Sequence, residues 1–144
     1  MNPSSTPEAF AARSAGTLPG LLGMVVTRVG ADALEAEMPI AAHHLAPNGY
    51  LHAASLIALA DTACGYGCMA NLPEGATGFT TIELKSNFLG TALDGTMACV
   101  ATPQHLGGRT QVWDAVVKHR ETGRTLALFR CTQMVLRKTE RAPA

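Results

Sequence analysis

One long helix is predicted over residues 52–70 (HAASLIALADTACGYGCMA), and it is apolar on nearly every face. A surface helix of a globular protein has an apolar stripe on one side and polar residues on the other. A helix without this division is buried, so the rest of the chain has to enclose it. The segment Asn71-Leu72-Pro73 follows and predicts the end of the helix, because proline does not continue a helix.

Segments that read as strands lie on both sides of this helix. Upstream, residues 23–29 and 31–38 are predicted as two short strands joined at Gly30. Downstream, glycine-containing turns separate four longer strands, at about residues 81–88, 96–105, 109–119 and 124–137. This spacing is typical of hairpins, so we expect an antiparallel meander of four strands.

The predicted fold class is therefore α+β, with a curved antiparallel sheet wrapped around one long hydrophobic helix. A chain of 144 residues is expected to form one domain, assigned here to residues 17–138. Residues 1–16 are rich in Ser, Pro, Ala and Gly and are expected to be a flexible leader with a short helix around Pro7–Arg13. Residues 139–144 are assigned to a C-terminal tail.

The charge content points to a partner but not to nucleic acid. Only 15% of the residues are charged, which indicates that another subunit covers part of the surface in a homo-oligomer. Eleven basic and eleven acidic side chains cancel, which argues against a general nucleic-acid binder. The net charge is −4 over residues 1–80 and +4 over residues 81–144, and the basic half suits a small anionic ligand.

Cysteine usage and hydropathy favour a cytoplasmic protein. No Cys-x-x-Cys motif is present, so Cys64, Cys68, Cys99 and Cys131 are expected to be reduced and mostly buried. The apolar runs are shorter than a membrane span requires, and no cleavable signal segment precedes them. His43-His44 has no carboxylate or thiol at zinc-ligand spacing, so no metal site is predicted.

Asp61 is the residue that does not fit its surroundings, since it shares a helix stripe with Ile57, Cys64 and Cys68. A carboxylate there is costly unless it is paired or faces a cleft. It is either a structural acid that meets an arginine or a loop, or a general base or nucleophile. His52 is either a cap or a site residue where free backbone N–H groups bind an oxyanion.

Several segments together resemble the hot-dog-fold acyl-CoA thioesterases, and most closely their phenylacetate-pathway (PaaI-like) branch. These segments are NGYLHAASLIALADTACGYG, GFTTIELKSNFLGTA, GRTQVWDAVV and TGRTLALFRCTQMVL, and the resemblance spans about residues 18–137. The most specific parts run from His52 to Ala63 and from Thr81 to Phe88. The family usually has His-Gly-Gly at the helix start, where this chain has His52-Ala53-Ala54.

The resemblance implies hydrolysis of an acyl-CoA thioester at a site shared by two subunits. Asp61 of one chain would act as base or nucleophile, and the Ala53 N–H of the other would stabilise the oxyanion. Asn48 and His52 would position water or the thioester, and Thr81 matches a hydroxyl position near the nucleophile. Coenzyme A enters only as part of the substrate, so no cofactor is expected.

Three basic residues on or beside the downstream strands are candidates for the coenzyme A phosphates, namely Lys85, Arg109 and Arg124. Two other functions remain open on the same fold. One is a non-catalytic acyl-CoA binding protein. The feature that supports it is Ala53-Ala54 in place of the two glycines usual in the family. The other is an acyl-CoA hydratase or dehydratase, whose local Asp and His motif is not found here.

Overall fold

A computed structural model describes residues 1–138, so the tail assigned to residues 139–144 lies outside the described residues. The N-terminal half begins with two short helices and two strands. In chain order the elements are α1 (Pro7–Ser14), α2 (Leu18–Leu21), β1 (Val25–Val29), β2 (Leu34–Pro39), α3 (Ala53–Ala70), β3 (Ala76–Phe88), β4 (Thr96–Leu106), β5 (Thr110–His119) and β6 (Thr125–Arg137). One 3-10 turn, Ala42–His44, lies between β2 and α3.

The six strands form one antiparallel sheet in the order β1-β2-β4-β5-β6-β3. The expected four-strand meander is therefore wrong in one respect: β4, β5 and β6 are consecutive neighbours, but β3 lies beside β6 at the far edge. The reason is the connection of seven residues, 89–95, which is long enough to cross the ends of β6 and β5 because strands lie about 4.8 Å apart. Leu89 and Gly90 both donate their N–H groups to the Leu126 carbonyl as the chain turns there.

The concave face of the sheet encloses α3, as its apolar sequence requires. Leu56, Leu59, Ala63, Cys64 and Cys68 of the helix are buried in the same core as residues from five strands. This is the hot-dog arrangement. α3 is long and apolar enough to cross a membrane by length and composition alone, but most of it is buried against the sheet, so it is the core helix of the domain.

Two glycines allow aromatic side chains to approach α3 closely. A Cβ atom at Gly67 would lie 2.7 Å from the Trp113 ring, and one at Gly65 would lie 2.8 Å from the Phe79 ring. Glycine inside a helix costs about 1 kcal/mol relative to alanine. The close packing of Trp113, which is fully buried, and of Phe79 offsets that cost.

The N-terminal segment is packed on the domain rather than free of it. Thr6 caps α1 by accepting a hydrogen bond from the Ala9 N–H. Phe10 is buried and stacks on Tyr66 with a centroid distance of 4.4 Å, and Ser14 Oγ lies 2.7 Å from the Tyr66 hydroxyl. The short helix expected around Pro7–Arg13 is present as α1, and these contacts bury its apolar side.

Candidate active site

The loop before α3 fixes where the helix starts. The His44 carbonyl accepts hydrogen bonds from the His52 N–H at 2.9 Å and from Ser55 Oγ at 2.8 Å. The buried His44 ring accepts from the Ala41 N–H through Nδ1 and therefore donates to the Leu22 carbonyl through Nε2. Burial lowers the pKa of His44, which keeps the ring neutral. His44 is thus a structural anchor.

His52 caps the helix and leaves one backbone donor free. Its Nδ1 accepts a hydrogen bond from the Ala54 N–H at 2.9 Å, so the ring proton lies on Nε2. Ala53 is the first residue of α3, and no acceptor for its N–H is found among residues 1–138. The helix start therefore presents the Ala53 N–H and the positive end of the helix dipole to a ligand.

Asn48 lies in an exposed turn ahead of the helix start. Its Oδ1 accepts a hydrogen bond from the Tyr50 N–H at 3.2 Å, and Gly49 has a φ of 84°. Such a φ favours glycine, which has no Cβ to clash. The side-chain amide N–H groups of Asn48 have no partner in the described part of the chain and face outward.

A cleft of about 270 Å³ opens beside the helix start. Its lining is mostly apolar, with two imidazole rings at its rim: Leu18, Leu22, His43, Leu45, His52 and Ala58. The cleft is large enough for a small acyl chain or an aromatic ring, and it reaches the helix start at His52, Ala54 and Ser55.

Asp61 lies about two turns beyond the start of α3 and is partly buried. Its Oδ1 accepts a hydrogen bond from Thr81 Oγ1 of β3 at 3.0 Å. Burial raises the pKa of Asp61, and the Thr81 hydrogen bond acts in the opposite direction. No salt bridge to Asp61 occurs within residues 1–138, so the interpretation as a structural acid paired with an arginine is not supported.

Within one chain, Asp61 and the helix start cannot meet. Eight residues separate Ala53 from Asp61, which corresponds to about 12 Å along a helix that rises about 1.5 Å per residue. One ligand atom therefore cannot contact both groups of the same chain. The structure brings Asp61 together with Thr81, and His52 together with Ala53, as two separate half-sites.

The edge strand β3 is exposed on the side that carries Thr81. Leu84 and Phe88 pair with Cys131 and Ala127 of β6, which are buried, so all four side chains face the helix side of the sheet. Leu84 is nevertheless 40% exposed and Phe88 is 45% exposed. An apolar edge strand of this length is uncovered in a single chain.

Comparison with known proteins identifies the family. The model of the thioesterase superfamily matches residues 48–131, which include both half-sites. The chain belongs to the thioesterase superfamily. It is 33% identical to the 1,4-dihydroxy-2-naphthoyl-CoA hydrolase of Escherichia coli over 91% of this chain and 95% of that protein. It is 35% identical to the proofreading thioesterase EntH of Cronobacter sakazakii over 91% and 94%.

Solved structures agree with this assignment. A thioesterase from Haemophilus influenzae superposes with a TM-score of 0.87 at 27% identity, over 94% of each chain. The PaaI protein from the phenylacetic acid degradation operon of Escherichia coli superposes with a TM-score of 0.79 at 25% identity, over 91% of this chain and 92% of that one. The protein is a thioester hydrolase with a hot-dog fold of the PaaI-like type.

The three basic residues predicted to contact phosphates are not close together in the thioesterase chain. Lys85 pairs with Arg130 on the outer face of the sheet, away from Asp61, and its Nζ donates to Asn87 Oδ1 at 2.9 Å. Arg109 and Arg124 flank the ten residues of β5 at opposite ends, about 30 Å apart. Arg124 lies beside Gly90, where a Cβ atom would come within 3.0 Å of its Nε.

Two buried glutamines near the half-site of Asp61 were not found by sequence reasoning. Gln133 of β6 lies opposite Thr81 of β3 and opposite Gln111 of β5 in the sheet. Both amides are fully buried. The alternation of side chains along each strand could have identified them, because each glutamine occupies a core-facing position of a strand whose other core-facing residues are mostly apolar.

Proposed function

We propose that this thioester hydrolase cleaves acyl-CoA substrates in a site completed by two subunits of a homodimer, or of a dimer of dimers. In this proposal Asp61 of one subunit faces the helix start of its partner. The observation that carries it is Asp61 itself: a partly buried carboxylate about 12 Å from its own helix start, whose only hydrogen bond among residues 1–138 comes from Thr81.

The exposed edge strand supports the role of a second subunit. Ile82, Leu84 and Phe88 are each at least two fifths exposed in the single chain. Pairing of β3 with the same strand of another copy would cover these side chains and satisfy the free backbone groups of the edge. It would also bring the Asp61 half-site of each chain toward the other chain.

Two chemical routes use the same groups. As a general base, Asp61 takes a proton from water while the water oxygen bonds to the thioester carbon. As a nucleophile, its carboxylate bonds to that carbon and forms a mixed anhydride, which water then cleaves. In both routes the carbon–sulfur bond breaks with its electron pair on sulfur, a proton passes to the thiolate, and a carboxylic acid and coenzyme A are released.

The partner's helix start would stabilise the negative charge on the carbonyl oxygen. The Ala53 N–H is free to donate, whereas the Ala54 N–H is held by His52 Nδ1. Replacement of the usual glycine by Ala53 keeps the backbone donor, since only proline lacks an N–H. His52 directly precedes Ala53 and Asn48 lies in the turn before it, and both are proposed to orient water or the thioester.

The substrate class follows from the relatives and from the cleft. One relative is named for the hydrolysis of a naphthoyl-CoA thioester, and the cleft of about 270 Å³ is lined mainly by apolar side chains. We therefore propose an aryl- or acyl-CoA substrate with its acyl part in this cleft. In this proposal Arg109 or Arg124 binds a phosphate group, but the two are too far apart to bind the same phosphate. Lys85 would bind a phosphate only at the outer face of the sheet.

The four free cysteines, all buried, support a reducing compartment and hence a cytoplasmic location. We propose no cofactor, since coenzyme A belongs to the substrate.

The test is a mixing experiment with two single-site variants. Asp61→Asn removes the carboxylate, and Ala53→Pro removes the backbone donor. Proline is tolerated at the first position of a helix, and His52 already has the extended backbone (φ −67°, ψ 134°) that precedes proline. With a panel of aryl- and acyl-CoA substrates and detection of free thiol, each variant alone is expected to lose about 10²–10⁴-fold in kcat.

Mixed subunits decide whether the site is shared. Random reassembly of the two variants gives heterodimers with one intact site, so about a quarter of wild-type activity returns if each site uses both subunits. No recovery would contradict the shared site. Full activity of Asp61→Asn alone would contradict the role of Asp61, and acyl-CoA binding by the wild type without thiol release would favour a binding protein.

A further inference from the structure

The Thr81 hydroxyl lies between two acceptors and carries only one proton. Its Oγ1 is 3.0 Å from Asp61 Oδ1 and 2.9 Å from Gln133 Oε1. Both distances are those of full hydrogen bonds. One hydroxyl donates one hydrogen bond, so the carboxylate and the amide carbonyl compete for the same proton.

Gln133 directs its carbonyl oxygen toward Thr81, with its amide nitrogen on the side of Cys131. Its side chain is fully buried, and its Nε2 donates to Cys131 Sγ at 3.3 Å. On the neighbouring strand, Gln111 donates to the Asn71 carbonyl and accepts from Trp113 Nε1, both at 2.9 Å, so its amide is engaged elsewhere. The Gln133 carbonyl is thereby left to face Thr81.

We propose that Gln133 is a positioning residue, whose carbonyl oxygen shares the Thr81 proton with Asp61 and so keeps the carboxylate basic enough to act in hydrolysis. The proposal rests on the proposed function of Asp61. When Asp61 is ionised, its charge attracts the Thr81 proton. When Asp61 gains a proton, Thr81 turns to Gln133 and keeps a hydrogen bond. Gln133 therefore favours the protonated form of Asp61.

The direction of each effect follows from this competition. Removal of the Gln133 carbonyl leaves the Thr81 proton to Asp61 alone, which favours the carboxylate and lowers the pKa of Asp61. Removal of the Thr81 hydroxyl deprives the carboxylate of its donor and raises that pKa. A general loss of packing would not move the pKa of one group in opposite directions for these two substitutions.

The other titratable groups near Asp61 would not produce these opposite shifts in its pKa. Cys64, one turn further along α3, and Cys131 on β6 form a hydrogen bond, and this contact together with burial raises the pKa of Cys64. Cys99 on β4 is buried, and its pKa is raised to about 12. Cys64 and Cys99 are therefore neutral where Asp61 titrates.

The experiment is a carboxyl ¹³C NMR titration of Asp61 in the whole, substrate-free protein. Relative to wild type, we expect Gln133→Met to lower the pKa of Asp61 by about one unit and Thr81→Val to raise it by about one unit. Thr81→Ser, which keeps the hydroxyl, is expected to restore the wild-type value. In Thr81→Val, the further change Gln133→Met is expected to have no effect.

Gln111→Met is the matched control, because Gln111 is equally buried on the adjacent strand but does not contact Thr81. It is expected to lower thermal stability and leave the pKa of Asp61 unchanged. An equal shift in Gln111→Met and Gln133→Met, or no shift in Gln133→Met, would overturn the proposal.

A measurement on the wild type covers the case in which Gln133→Met does not fold. The side-chain carbonyl ¹³C shift of Gln133 is expected to titrate with the same midpoint as Asp61, since its hydrogen bond from Thr81 strengthens as Asp61 is protonated. A Gln133 shift that is flat with pH would contradict the proposal. Neither measurement requires turnover, so a failure here is distinct from a failure of the proposed catalytic role.

Discussion

Asp61 combines two properties that oppose each other at the scale of a single residue. The side chain is partly buried on a helix that packs into the core, and in the described part of the chain its hydrogen bond comes from a neutral hydroxyl. Burial disfavours the charged form, which raises its pKa and makes it a better base. The same burial means that ionised Asp61 destabilises the folded state.

This opposition predicts a pH-dependent gain in stability for Asp61→Asn. The folded-state pKa of Asp61 is raised, so its penalty is absent below the unfolded value of about 3.9 and complete above the folded value. At pH 7, Asp61→Asn is expected to have a larger free energy of unfolding than the wild type. The difference should shrink as the pH falls toward 4, as measured by urea denaturation at fixed protein concentration.

Asp32→Asn is the control of opposite sign. The Arg28 guanidinium holds the pKa of Asp32 below its usual value, so this carboxylate does not destabilise the folded state at pH 7. Its substitution is expected to give no gain in stability. A gain in Asp32→Asn equal to that in Asp61→Asn would mean that removal of any acidic charge suffices.

At the scale of the element, α3 depends on its glycines as much as on its apolar side chains. Leu56, Leu59 and Ala63 supply the buried surface, but Gly65 and Gly67 set how closely β3 and β5 approach the helix. Helix propensity alone would favour alanine at both positions. The contact with Trp113 reverses that preference at Gly67.

Gly67→Ala is therefore expected to destabilise the protein by about 1–3 kcal/mol, because its methyl group would overlap the Trp113 ring. Urea denaturation followed by the fluorescence of Trp113, the only tryptophan, measures this directly. Gly108→Ala is the control, since a Cβ atom there would meet nothing within 4 Å. An unchanged or higher stability of Gly67→Ala would show that the helix can move away from β5.

At the scale of the whole molecule, the sheet has two edges that differ in character. β1 ends one side, and its Arg28 forms salt bridges with Asp32 and Glu35. β3 ends the other side and exposes Ile82, Leu84 and Phe88 next to the strand position that holds Thr81. Charged edges resist pairing with another chain, whereas long apolar edges favour it.

Leu84→Glu is expected to convert the proposed dimer into monomers and to reduce kcat by at least about 10²-fold, because each proposed half-site would lose its partner. Light scattering after size exclusion gives the mass, and thiol release gives the activity. Val25→Glu places the same charge on the β1 edge, at a residue that is 53% exposed, and is expected to change neither. A monomeric Leu84→Glu variant with full activity would contradict the shared site.

The sequence by itself determined the elements that local patterns specify. Residues that are close in the chain predict the apolar helix to within one residue of 53–70, and the strands around it. They also identify Asp61 as a carboxylate on an otherwise apolar stripe of that helix. Motif resemblance added Thr81 as a neighbour of Asp61, and the hydrogen bond between them agrees with that expectation.

Only the tertiary structure decided which strands pair and which buried polar groups meet. β3 lies beside β6 and not β4, and the connection 89–95 is long enough to permit this crossing. Local sequence does not select the partner, because the backbone of any strand can form hydrogen bonds with that of any other. Thr81 and Gln133 are 52 residues apart in the chain, and their contact depends on that pairing. Periodicity assigns a side chain to a face of its strand, but long-range packing selects the atom that it touches.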